Sequence, residues 1–121
     1  MLARRAPARV GEREAKHSPP ADASALRAAG DWFGRAVAEG TRNAAGVVDD
    51  YLAAVAPWGF APGDVQAPTQ VHQGTADPLV PPAWGPRLAA AIPGAQLVSH
   101  EGEGHMIALS HRADIVRDLV A

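Results

Sequence analysis

Two short strand-like segments, residues 69–73 and 95–100, stand either side of a helical stretch at 83–92 that prolines punctuate at both ends. Pro81-Pro82 suits the approach to a first helical turn, where a missing backbone donor costs nothing, and Pro93-Gly94 closes the helix. Strands joined through a helix pair in parallel, with a right-handed crossover. Ser110 is placed to cap a final helix whose Ile115, Val116, Leu119 and Val120 form its buried side. Residues 61–121 therefore read as strand, helix, strand, helix, which sets the class as α/β. Thr69-Gln70-Val71-His72-Gln73 offers one clear aliphatic, where a strand inside a parallel sheet is usually apolar throughout. Such a strand depends on its neighbours for burial.

Upstream the pattern is helical. Leu26, Ala29, Phe33 and Val37 recur at spacings of three and four, one stripe of a helix capped by Asp22 or Ser24 and stopped at Gly40. A second helix spans 43–56, with Asn43 as cap, Val47, Tyr51 and Val55 on one face, Val48 and Leu52 widening it, and Pro57 as stop. Gly34 and Gly46 weaken both helices, so packing must hold them. Trp58 and Phe60 mark a core-facing loop. Residues 1–20 hold four arginines, a lysine, two glutamates and Pro19-Pro20, with almost no large apolar side chain. That segment is expected to be disordered, because it buries too little surface to offset its ordering entropy.

Composition removes several classes. A formal charge of −2 gives no reason to expect a nucleic-acid or anionic-membrane partner. No apolar run approaches the ~20 residues that span a bilayer. Arg4 and Arg5 are not followed by the apolar stretch of a signal peptide, so the expected location is cytoplasmic. The chain has no cysteine, which excludes disulfides, thiolate catalysis and cysteine-based zinc sites.

The residues with chemistry to offer are Asp77 and His105. Each lies in a loop just beyond a strand's carboxyl end, where loops of open parallel sheets converge on ligands. An aspartate can hold a histidine in one tautomer and stabilise its imidazolium, making the histidine a general base. Gly102 and Gly104 would let the second loop turn sharply and leave the imidazole on the sheet's rim. The bland alternative is that Asp77 caps the turn before Pro78 and His105 is an ordinary loop histidine.

Gly74-x-x-Asp77-x-x-Val80-Pro81, the helix ending Ile92-Pro93-Gly94-Ala95, and Glu103-Gly104-His105 resemble, in that order, the C-terminal part of the α/β-hydrolase superfamily. The resemblance covers residues 22–121. It implies that Asp77 is the acid and His105 the base of a catalytic triad acting on a small acyl substrate, ester or amide, without a cofactor. It also implies that residues 21–60 are the end of a lid region returning to the sheet. The family's nucleophile lies in a Gly-x-Ser-x-Gly elbow before the acid. Ser18, Ser24, Ser99 and Ser110 have no glycine two residues away on either side, and no aspartate sits in such a frame. The expectation is a truncated fragment, inactive alone. The alternative is a non-catalytic interaction module, or a half-protein that complements a separate N-terminal chain.

Other sites are weaker. His72, His100 and His105 with Glu101, Glu103 and Asp77 are metal-ligand types, but His100 and Glu101, being adjacent on an extended segment, point to opposite faces; no metal site is expected. Gly102-x-Gly104 lacks the further glycine and lysine of a phosphate loop. Trp58 and Trp84 read as packing residues.

Overall fold

The computed structural model describes residues 7–120. Among them are seven α-helices and two strands: α1 Pro7–Ala15, α2 Pro20–Ala28, α3 Asp31–Gly40, α4 Ala44–Val55, β1 Gln70–Gly74, α5 Trp84–Ala91, β2 Gln96–His100, α6 Ile107–Ser110 and α7 Arg112–Val120.

The sheet has the expected form. β1 and β2 pair in parallel, with Gln70 opposite Gln96 and Gly74 opposite His100, and α5 makes the crossover. The strand faces separate their residues. Gln73 meets Gly85 of α5, whose close approach leaves no room for a side chain there: a Cβ would lie 2.8 Å from Gln73 Cβ. His72 and His100 share the other face and touch each other. Polar β1 is tolerated because its side chains find partners. Buried Gln73 donates to the carbonyls of Gly74 (3.1 Å) and Val80 (3.4 Å). His72 bonds His100 at 2.9 Å and Gln70 at 3.2 Å.

The N-terminal segment corrects the expectation of disorder over 1–20. Residues 7–15 are helical and pack on α2 and α3, while 1–6 lie outside the described residues. What orders the segment is close approach of small residues. Gly11 and Ala15 are buried on one side of α1, four residues apart. A Cβ at Gly11 would sit 3.2 Å from the Leu26 carbonyl, and one at Gly34 would strike the Pro7 backbone. A search for large apolar side chains misses this kind of packing, in which backbones approach and dispersion contacts accumulate. The buried cluster is accordingly small: Ala15, Ala23 and Leu26, with Phe33 and Met106 against it.

Three further expectations are corrected. The stripe from Leu26 to Val37 does not lie on one helix, because Gly30 adopts φ +58° and separates α2 from α3. Ser110 does not cap α7; it ends α6, and its hydroxyl donates to Glu103 (3.1 Å) and to the Met106 carbonyl (3.3 Å). Val116, Leu119 and Val120 are exposed, as are Trp58, Phe60 and Trp84. α4 starts at the expected cap, Asn43 accepting from Ala45 N at 3.0 Å, and Ala56 turns extended ahead of Pro57. None of its residues is buried, and Val48, Tyr51, Leu52 and Val55 present an apolar face to solvent.

Candidate active site

The β1–α5 and β2–α6 loops are bound together before any side chain of interest is placed. Thr75 N donates to the His100 carbonyl (3.1 Å) and Ala76 N to the Glu103 carbonyl (2.9 Å). Gly102 N donates to Thr75 Oγ1 at 2.9 Å. Gly74 makes this approach possible: a Cβ there would lie 2.5 Å from the Glu103 carbonyl oxygen and collide with that of Gly104. Gly102 takes φ +72°, the left-handed conformation open to glycine, so it supplies the turn. Gly104 does not. Its lack of a side chain admits the carboxylate of Asp22, which a Cβ would strike.

This framework brings Asp77 and His105 together. His105 Nδ1 and Asp77 Oδ2 are 3.0 Å apart, with the Asp77 side chain 6% exposed and that of His105 41%. Asp77 Oδ1 accepts from Leu79 N (2.8 Å) and Val80 N (2.9 Å). One oxygen thus caps the turn before the helix while the other faces the imidazole, so the turn cap and the contact with His105 coexist. Burial acts to raise the Asp77 pKa. The Val80 and Leu79 amides, then the hydrogen bond and charge of His105, outweigh it, and the net shift is downward. Asp77 is therefore a carboxylate at neutral pH and can only accept, which places the shared proton on His105 Nδ1. In the neutral ring Nε2 then carries the lone pair, and it has no hydrogen-bond partner among the described residues.

Asp22 and Gln73 are the residues that reading the sequence did not assign to this site. Asp22, 3% exposed, accepts from His105 N at 2.9 Å and Met106 N at 2.8 Å. It does not cap its own helix, as the sequence suggested, because Pro19 holds that position and no side chain caps it. A bond across 83 residues leaves no local signal. Gln73 props the Asp77 loop through the Val80 carbonyl, and its only trace is a polar residue in a strand due to be buried.

His72, His100 and His111 form a separate group. His100 stacks on His72 and lies against His111, ring centroids 5.2 and 4.4 Å apart. His111 Nε2 is buried without a hydrogen bond, 3.5 Å from Glu103 Oε1. Burial lowers the His100 pKa, and repulsion from His111 and His72 adds to this against an opposing Glu103. Among the described residues no three His, Asp or Glu side chains are arranged to hold a metal ion. A groove of about 800 Å³ between α2 and the α6–α7 turn, lined by Ala25, Trp32, Leu109 and Arg112, includes neither Asp77 nor His105.

A two-stranded parallel sheet with a crossover helix, and an aspartate and histidine meeting beyond its carboxyl edge, define a C-terminal portion of the α/β-hydrolase type. Residues 55–121 match the family model described as TAP-like protein, and the chain belongs to that α/β-hydrolase family. No curated protein and no solved structure matches it. No helix among the described residues is long and apolar enough to cross a membrane.

Proposed function

We propose that Asp77 and His105 are the acid and base of a serine-hydrolase triad of the ester or amide class, whose nucleophile and oxyanion hole lie outside these 121 residues. The observation that carries this reading is the 3.0 Å contact between a buried, turn-anchored carboxylate and an imidazole whose Nε2 is left open. In the reaction, a serine hydroxyl attacks the acyl carbon as its proton passes to His105 Nε2. Asp77 stabilises the imidazolium, which then returns the proton to the leaving group. Substrate contacts and oxyanion donors would come from the same missing part, which is why the chain alone is expected to be inactive.

A second reading is favoured by a different observation. The apolar face of α4, continued by Trp58 and Phe60 with ring centroids 5.9 Å apart, is exposed, and the two-stranded sheet has open edges. These surfaces suit a half-protein that docks on a separate N-terminal chain, with or without catalysis.

Hydrolysis of an activated ester by the chain alone, and by the chain mixed with a polypeptide carrying Gly-x-Ser-x-Gly translated from the DNA immediately upstream, tests both. We expect only a histidine-like background alone and turnover in the mixture that His105→Ala abolishes. Strong turnover by the chain alone, lost in His105→Ala, would show that it needs no outside nucleophile. Turnover of the mixture that survives both His105→Ala and Asp77→Ala would refute the acid–base assignment. A tight complex without turnover would favour the non-catalytic module.

A further inference from the structure

We propose that Asp22 is a positioning residue for His105, holding the backbone of the base as Asp77 holds its ring; this rests on the reading of His105 as base. Asp22 is 3% exposed, and each of its carboxylate oxygens accepts one backbone N–H, from His105 and from Met106. A buried carboxylate is costly unless its oxygens are bonded, and bonds to an ionised acceptor are stronger than neutral ones. The consecutive amides also lie where α6 begins, so without Asp22 they would be donors with no partner.

Gly104 supplies independent support. Its φ is not in the left-handed region, so the turn does not require glycine, yet a Cβ would strike the Asp22 carboxylate. The glycine beside the histidine is therefore accounted for by the approach of Asp22. His105 is held from two sides by carboxylates of different elements, α2 and the β1–α5 loop. Two such anchors remove both the backbone and the ring freedom that would let Nε2 drift from a reacting proton, and small misplacements of that kind are expensive in catalysis. The N-terminal helices thereby become part of the site's construction.

The test is NMR of the full chain, reading the His105 Nδ1 proton and amide exchange at His105 and Met106. Asp22→Asn replaces one accepting oxygen with a donor, leaving one amide unpaired and the other bonded to an uncharged, weaker acceptor. We expect exchange at these two amides to accelerate at least about tenfold, and the downfield Nδ1 resonance to broaden or vanish. Leu26→Ala, which weakens the same helix packing, should leave the Nδ1 resonance in place under native conditions. Unchanged exchange and an unchanged Nδ1 resonance in Asp22→Asn would overturn the proposal, as would loss of that resonance in Leu26→Ala to the same extent. If Asp22→Asn does not fold, the wild-type chain decides: scalar coupling from the His105 and Met106 amide nitrogens to Asp22 Cγ supports the clamp, and its absence overturns it. An Nδ1 resonance indifferent to Asp77→Asn would instead overturn the reading of the pair, while the two amides would still report on Asp22.

Discussion

Replacing Gly74 with alanine probes the framework that brings the Asp77 and His105 loops together. The new Cβ would lie 2.5 Å from the Glu103 carbonyl oxygen, against 3.4–4 Å for ordinary contact, and both obstructing atoms are backbone. No side-chain rotation relieves this, so the loops must part by about 1 Å. The bonds from Ala76 N to Glu103 and from Gly102 N to Thr75 Oγ1, both 2.9 Å, do not survive such a shift. Two lost bonds at about 1 kcal/mol each, with about 1–2 kcal/mol of residual strain, give about 3–4 kcal/mol. For a chain of this size that is a fall in Tm of about 12–16 °C. Urea and thermal denaturation of the two proteins measure it. The Asp77–His105 contact should be lost as well, seen as loss of the His105 Nδ1 resonance. A Gly74→Ala chain within about 0.5 kcal/mol of wild type, resonance intact, would refute the reasoning from close approach.

Other outcomes follow from charge and capping. The folded-state pKa of Asp77 is depressed, so its contribution is fully present above the unfolded value of 3.8 and is lost as pH falls through the folded value. Asp77→Asn should lower stability at neutral pH and flatten the acid limb of urea midpoints below about pH 4; an unchanged limb would contradict the assignment. His100 is likewise depressed in the folded state. Its contribution is complete above 6.5 and declines on acidification towards its folded value, because the unfolded chain takes up a proton that burial, His111 and His72 keep off the folded ring against the opposing pull of Glu103. His100→Gln should remove that mildly acidic decline, read in the same series of midpoints. Asn43→Ala should cost α4 about 1 kcal/mol. Because no α4 residue is buried, circular dichroism should register lost helicity with no fall in the global midpoint.

Elements governed by local rules were readable from the residues alone. Prolines and capping residues set α4, α5 and the two strands to within a residue or two, and parallel pairing followed from the intervening helix. Asp77 and His105 were legible because each is fixed by its place after a strand. Their family followed from the order of short motifs, which the match over residues 55–121 bears out. Tertiary structure decided what local rules do not encode. α1 is ordered by the close approach of Pro7, Gly11 and Gly34 to their neighbours, which a scan for large apolar side chains passes over. Gly30 divides a hydrophobic stripe whose periodicity continues across the break. Asp22 reaches His105 across 83 residues, and only the folded chain shows that a helix cap in the sequence is a buried clamp on the candidate base. For α1 and Asp22 the cause is shared: periodicity and capping act within a few residues, whereas close approach and long-range hydrogen bonds exist only once the backbones have met.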